Sequence, residues 1–136
     1  MAPNEELQSL FSQFAQARQR LDEALRLEPE SEIKQDAVIQ RFEFTYEPLW
    51  KVFRKIARAE KIDCISPRDC FRFALRAGLI GDEGLFLEII DARNKTAHVY
   101  SKEEARKIYG FIKEKASAAF ADSEKQLKNS GRINSR

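Results

Sequence analysis

The residues most able to do chemistry lie in one octapeptide, Arg93 to Tyr100, which holds the single histidine of the 136-residue chain. Imidazole titrates near neutral pH, so His98 is the side chain best suited to give and take protons there. Arg93 carries a permanent charge on a planar fork that matches two phosphate oxygens. A proton carrier beside a phosphate clamp points to phosphodiester chemistry or to nucleotide binding.

Spacing alone leaves the roles of these side chains open. Arg93 and His98 are separated by roughly 140° around an ideal helix, so they can meet at one phosphate only if a helix ends between them. In the alternative, Arg93 pairs with an acid such as Asp91 or Glu88, and His98 stabilises a helix C-terminus. Tyr100 could cover a helix junction, stack on a nucleobase or accept a transferred nucleotidyl group.

The single histidine has a consequence for assembly. General acid–base cleavage of RNA needs a base for the 2′-hydroxyl proton and an acid for the leaving 5′-oxygen, while cations stabilise the charge on phosphorus. If histidine fills both roles without a metal, two chains must each supply one. The sequence therefore predicts a two-fold homodimer with a composite cleft.

Other chemical signals are weak. The chain has no Gly-rich phosphate loop and no Ser/His/Asp set that its spacing would support, so no cofactor is predicted. Glu43 and Glu47 form a helical i, i+4 pair that could hold a metal, but a solvated or salt-bridged face is favoured. Cys64 and Cys70 lack further zinc ligands, so both are predicted to be reduced, half-buried thiols, and no metal site is expected.

Apolar residues recur at steps of three and four in five segments, which predicts an all-α fold. Short connections favour an up-and-down four-helix bundle with one additional short helix. Pro48 predicts a kink or a break in the second helix, because proline lacks a backbone N–H. The five expected helices span roughly residues 4–27, 32–60, 67–77, 83–97 and 102–127.

Local signals set the expected helix ends. Ser31, Ser66 and Ser101 are predicted N-caps, and Gly78 is a predicted C-terminal stop. His98 then falls in a connection between two helices. Residues 1–127 are expected to form one domain, and the basic segment 128–136 is expected to be a disordered tail.

Composition bounds the location and the partners. The apolar runs are far shorter than the roughly 20 residues that cross a bilayer, so no membrane partner is predicted. The acidic start of the chain lacks the features of a signal peptide, which makes the cytoplasm the default location. A net charge of +2 is too mild to indicate a nucleic-acid binder by itself.

Four segments in colinear order resemble the nucleotidyltransferase substrate-binding family, a branch of the HEPN (higher eukaryotes and prokaryotes nucleotide-binding) superfamily. The resemblance runs from about residue 38 to residue 115. The segments that carry it are Gln40–Glu47, Ser66–Asp69, Ala77–Ile80 and Asp91–Tyr100.

The resemblance implies a dimeric helical bundle that pairs with a separate minimal nucleotidyltransferase, as the toxin of a toxin–antitoxin system. It implies that Arg93 and His98 form the R-x4-H site of a metal-independent endoribonuclease, with Asn94 as a supporting or nucleotide-binding residue. Tyr100 matches the tyrosine that the partner enzyme adenylylates. Two alternatives remain: a non-catalytic module that presents a nucleotide or substrate to the partner, and a dimerisation scaffold in which Arg93 and His98 are structural.

Overall fold

The computed structural model of the chain describes residues 3–99 and 101–133. Within these residues the chain is all-helical, which confirms the predicted fold class. The main helices are α1, α2, α4 and a continuous rod made of α5, a π-helical turn and α6, whereas α3 is the short helix. The bounds are α1 Pro3–Leu25, α2 Glu32–Ala59, α3 Pro67–Arg76, α4 Glu83–Thr96, α5 Lys102–Phe111, the π-helical turn Ile112–Ala116 and α6 Ser117–Asn129.

Side-chain caps begin four of these helices, because the first backbone N–H groups of a helix have no partner within it. Ser31 accepts from the N–H of residue 34 at 3.0 Å, and Ser66 accepts from residue 69 at 3.2 Å. Asp82 and Ser101 do the same for α4 and α5, at 3.0 and 3.1 Å. Gly78 follows α3 with a φ of +74°, as the predicted stop requires.

The core lies around α2, which contacts every other main helix. Burial of large aromatic rings supplies much of the apolar area that stabilises the bundle. Phe42 on α2 meets Phe120 on α6 with ring centroids 5.8 Å apart, and Phe53 on α2 meets Phe71 on α3 at 5.9 Å. One face of α2 is left to meet the end of α4.

Pro48 lies inside α2, and the helix is continuous from Glu32 to Ala59, so the predicted break does not occur. A proline removes the N–H that would bond the carbonyl four residues earlier, which here belongs to Phe44. Phe44 is on the exposed side of α2, where water can take that carbonyl. Pro48 itself is buried, so packing holds the helix together across this position.

The prediction for the cysteines is wrong. Cys64 and Cys70 form a disulfide, and their side chains are buried, with 3% and 0% exposure. The turn between α2 and α3 folds back over the first residues of α3 and brings the two Cα atoms to 5.2 Å, within bonding range. This geometry depends on the path of the turn, which the spacing of the cysteines does not disclose.

The tail differs from the expectation of disorder from residue 128. The helix α6 continues to Asn129. Beyond it, the Nη1 atom of Arg132 lies 3.2 Å from Glu60 Oε2, and Ile133 is 4% exposed. The buried side chain of Ile133 and the Arg132–Glu60 ion pair therefore hold this segment against the bundle up to residue 133. Residues 134–136 lie outside the described residues.

Candidate functional site

Arg93 lies in the last turn of α4 and faces α2. Phe86 and Ile89 are buried and precede Arg93 by seven and four residues, so helical spacing places all three on one stripe. That stripe packs toward the core, and its last member is charged. The side chain of Arg93 is consequently only 27% exposed and reaches the surface of α2.

The guanidinium of Arg93 is close to two carboxylates without hydrogen bonding to them. Its Nη2 atom is 3.8 Å from Glu43 Oε2, and its Nε atom is 3.6 Å from Glu47 Oε1. Its Nη1 atom donates to Thr96 Oγ1 at 3.3 Å, and that hydroxyl donates in turn to the Arg93 carbonyl at 2.7 Å. The Nε atom is buried and has no hydrogen-bond partner among the described residues. Among the described residues, the guanidinium of Arg93 therefore donates one side-chain hydrogen bond, to Thr96.

These partners differ from the acids suggested by the local sequence. Asp91 pairs with Lys95 at 3.0 Å, and Glu88 lies 4.0 Å from Lys115. Both acids follow the outer side of α4, whereas Arg93 follows its inner stripe. The favoured interpretation of Glu43 and Glu47 as a salt-bridged face is confirmed, with Arg93 as the cation.

Tyr46 lies between the two glutamates along α2 and is 3% exposed. Burial, reinforced by the negative charge of Glu47, raises the pKa of Tyr46 to about 12, although Arg93 opposes the shift. The phenol therefore stays neutral at physiological pH and is unsuited to act as a base.

His98 is exposed in the turn that follows α4, and its backbone N–H donates to the Lys95 carbonyl at 2.9 Å. Ala97 before it keeps φ −72° and ψ −13°, close to helical values. His98 consequently lies near the position that a continued helix would give it, on the side of Asn94 four residues earlier. This explains why it does not share the side of Arg93.

Asn94 and His98 line an open groove of about 670 Å³ between α4 and α5. Its floor is apolar, formed by Ala92, Ile108 and Phe111. The remaining described lining residues carry charges of both signs: Glu88, Asp91, Lys95, Glu104 and Lys107. The groove offers the imidazole an apolar wall and neighbouring ammonium groups.

The structure thus brings Asn94 and His98 together and directs Arg93 toward α2. Among the described residues, Arg93 is not part of the groove lining. Joint contact of Arg93 and His98 with one phosphate stays a prediction, and Tyr100 lies outside the described residues. Sequence reasoning missed Thr96 and the pairing of Arg93 with α2. The contact with Thr96 could have been predicted from the sequence, because residues three apart on a helix are neighbours.

Two further features of the described residues bear on function. Among the described residues, no three His, Cys, Asp or Glu side chains come together in a way that could hold a metal ion. No helix of the described part combines the length and the apolar character that a membrane span requires.

The chain is thus a helical bundle in which an arginine lies in the last turn of α4 and a histidine follows after four intervening residues. The chain belongs to the family described as nucleotidyltransferase substrate binding protein like, which it matches over residues 9–129. The resemblance seen in the sequence is thereby confirmed.

Three known proteins are similar to this chain. A crystal structure of a Thermus thermophilus protein is 31% identical, with a TM-score of 0.76 over 85% of this chain and 98% of that one. A Haemophilus influenzae relative named "Probable ribonuclease HepT" is 37% identical over 79 residues, and the match spans 54% of each chain. A tri-AMPylated Shewanella oneidensis HEPN toxin in complex with an MNT antitoxin has a TM-score of 0.73 over 90% of this chain and 96% of that one, and at 16% identity it shows the fold alone.

Proposed function

We propose that this chain is the RNA-cleaving toxin of a pair formed with a separate minimal nucleotidyltransferase. Two copies form a two-fold dimer, and Arg93 and His98 of both copies line one metal-independent endoribonuclease site. Asn94 supports the bound nucleotide. The partner silences the site by transferring an adenylyl group to Tyr100.

The observation that carries the proposal is the state of Arg93. A partly buried guanidinium with one side-chain hydrogen bond of 3.3 Å, and none to either neighbouring carboxylate, retains Nη donors for another acceptor. Phosphate oxygens are the acceptors that an arginine fork fits best. The exposed His98 follows five residues later, on another side of the segment and at the rim of an open groove.

The chemistry assigns one role to each histidine of the dimer. A neutral imidazole takes the proton of the 2′-hydroxyl, and the 2′-oxygen bonds to phosphorus as the bond from phosphorus to the 5′-oxygen breaks. The protonated imidazole of the other copy delivers its proton to that 5′-oxygen. Arg93 stabilises the negative charge that grows on the phosphoryl oxygens.

Silencing by the partner follows from the position of Tyr100, two residues after His98. An attached adenylyl group adds bulk and a phosphate charge beside the site, so it excludes RNA and competes for Arg93. The Shewanella oneidensis toxin, which carries three AMP groups in complex with its antitoxin, supports this part of the proposal by its fold similarity.

A second candidate is a non-catalytic module that holds a nucleotide or substrate for the partner enzyme. The pairing of Arg93 with Glu43 and Glu47 favours it, because two carboxylates offset the charge that cleavage would use. The family description, which names substrate binding, is also consistent with it.

The test compares wild-type protein with His98→Ala. Wild-type protein is expected to cleave RNA in the presence of EDTA and to arrest growth when expressed without its partner. Loss of the proton carrier should slow cleavage by about 10²- to 10⁴-fold. Lys125→Ala, an exposed substitution on α6, serves as the matched surface control and should cleave at the wild-type rate.

Equal cleavage by wild type and His98→Ala would discard the mechanism. RNA or ATP binding by wild type that is lost in Arg93→Ala, with no cleavage by either protein, would support the binding module instead.

A further inference from the structure

A second groove lies on another side of the bundle, between α1 and α2, with a volume of about 340 Å³. Two alanines form its floor, and its walls carry the side chains of Arg20, Arg41 and Phe44. Three glutamines complete it: Gln13, Gln16 and Gln40. Its size is at the lower end of small-ligand sites, roughly 300–1,000 Å³, which suits one nucleotide unit of a longer strand.

The charge of this groove differs from that of the other grooves. The α4–α5 groove includes three carboxylates, and so does the groove beside the disulfide. The α1–α2 groove has none among its described lining residues, and both of its charges are arginines. Neither Arg20 nor Arg41 forms an ion pair with a described residue, whereas Arg18, Arg72, Arg93 and Arg132 all do. A polyanion therefore meets less repulsion in this groove than in those two.

Arg41 is held in place by the fold. Its Nη1 atom donates to the backbone carbonyl of Arg20 at 2.7 Å, which fixes the guanidinium between the two helices. Its remaining N–H groups are available to an acceptor from outside, and a pre-positioned fork loses less side-chain entropy on binding phosphate.

Phe44 supplies a flat apolar surface at the edge of the groove. Its side chain is 57% exposed, unlike the buried rings of Phe42 and Phe53 on the same helix. Exposed aromatic rings beside cationic side chains are the usual platform for unpaired bases, because each base presents a π-face and each linkage presents a phosphate. The amides of Gln13, Gln16 and Gln40 can hydrogen bond to base edges.

The groove shares α2 with the carboxylates that pair with Arg93. Phe44 directly follows Glu43, the residue that pairs with Arg93, so it lies one residue, about 100°, around the helix. A strand that leaves the Arg93 region can pass over this face of α2.

We propose that the α1–α2 groove is a single-stranded RNA-binding subsite. Phe44 stacks on a base, Arg20 and Arg41 contact the flanking phosphates, and the glutamines contact base edges. The choice of RNA as the strand rests on the proposed function, but the subsite binds without cleaving and is testable apart from the chemistry.

The experiment measures binding of a fluorescent single-stranded RNA of roughly ten nucleotides, within the usual site size of such surfaces. The full chain carries His98→Ala in every variant, so that cleavage does not remove the probe. We expect Phe44→Ala to weaken binding by roughly tenfold or more and Phe44→Tyr, which keeps the stacking face, to bind like the parent. The double variant Arg20→Gln/Arg41→Gln should depend less steeply on salt. The slope of log K against log salt concentration should become shallower by roughly 0.7 per arginine.

Two matched controls use surface residues away from the groove. Ile65→Ala, in the turn between α2 and α3, removes an exposed apolar side chain that is 77% accessible, and Arg68→Gln removes an exposed arginine. Both should bind within about twofold of the parent, apart from the weak nonspecific contribution of one charge. Thermal melting of each variant checks that the fold is intact.

Binding by Phe44→Ala and by the double arginine variant that equals the controls would overturn the subsite, as would an absence of RNA binding by the parent. Unchanged RNA binding, with loss of complex formation with a co-expressed nucleotidyltransferase, would assign the groove to a protein partner and would also overturn the inference. Dependence of binding on Phe44, with no cleavage by wild-type protein, would keep the subsite and reject the endoribonuclease. RNA cleavage by wild-type protein, with binding that does not depend on Phe44, would keep the endoribonuclease and reject the subsite.

Discussion

Two partly buried arginines, Arg18 on α1 and Arg93 on α4, each lie beside two carboxylates. Only Arg18 forms hydrogen bonds with both of them. Its Nε atom is 2.7 Å from Glu124 Oε1, and its Nη1 atom is 2.8 Å from Asp22 Oδ2. The corresponding distances for Arg93 are 3.6 and 3.8 Å, beyond hydrogen-bond range. The exposed fractions of the two side chains are similar, 21% and 27%.

The exposed fraction alone therefore does not distinguish Arg18 from Arg93, the arginine that we propose to be functional. Arg18 donates to Asp22 within α1 and to Glu124 on α6, and the second bond stabilises the contact of α1 with α6. Arg93 lies beyond hydrogen-bond range of its two carboxylates, and its buried Nε has no hydrogen-bond partner among the described residues. An unsatisfied buried donor costs stability and calls for an explanation such as a functional role. The difference predicts that the two residues respond in opposite ways to the same substitution.

The largest expected contrast is in RNA cleavage. Arg93→Ala removes the cation that stabilises the phosphoryl oxygens, so we expect the cleavage rate to fall by about 10²- to 10³-fold. Arg18→Ala should retain cleavage within a few-fold, since it is remote from the R-x4-H segment. Single-turnover cleavage of one labelled RNA in EDTA measures both. Equal losses in the two variants would show that the effect comes from the fold rather than from the site.

The converse contrast is in stability. Arg18→Ala leaves Glu124, whose side chain is 12% exposed, without its principal partner, and we expect a loss of about 1–3 kcal/mol in the free energy of unfolding. Arg93→Ala breaks longer pairs with carboxylates that are 33% and 41% exposed, so its cost should stay below about 1 kcal/mol. Urea denaturation of both variants provides the comparison. A loss of several kcal/mol in Arg93→Ala with RNA and partner handling intact would favour the scaffold interpretation.

The smallest expected effect is on the pH dependence of stability, through Glu124, the carboxylate that pairs with Arg18. Burial raises the pKa of Glu124, but hydrogen bonds from Arg18 and Lys128 outweigh burial and hold that pKa below its ordinary value of 4.5. A carboxyl with a depressed pKa contributes stability above its unfolded pKa and loses it as pH falls through the folded one. Wild-type protein should therefore lose more stability than Arg18→Ala between about pH 5 and about pH 2. Parallel pH profiles of the urea midpoint would contradict this.

The helices were predictable because their signals are local. Ser66 before Pro67, and Ser101 three residues before Glu104, are helix N-caps. Their side chains accept hydrogen bonds from backbone N–H groups three residues later, a local interaction that does not depend on the rest of the fold. The π-helical turn Ile112–Ala116 was not predictable, because a one-residue shift in the hydrogen-bond pattern leaves little trace in side-chain spacing. The disulfide was missed for a related reason, since its formation depends on the path of a turn.

The sequence proposes the residues of the candidate site, but it does not give their contacts. Arg93 and His98 stand out by type and spacing, whereas Glu43 reaches Arg93 only through the packing of α4 on α2. Phe44 shows the same limit, because its exposure depends on which side of α2 the bundle leaves open. Long-range packing decides these features, and periodicity within one helix does not report it.

The most direct measurement of the composite site mixes wild-type and His98→Ala chains in equal amounts, exchanges them by co-refolding and verifies the mixed dimer by native mass spectrometry. Random pairing leaves about a quarter of the dimers with two histidines. If cleavage needs one imidazole from each copy, the activity per chain should fall to about a quarter of that of wild-type protein. Activity of about half would show that each chain cleaves alone and would contradict the two-chain site.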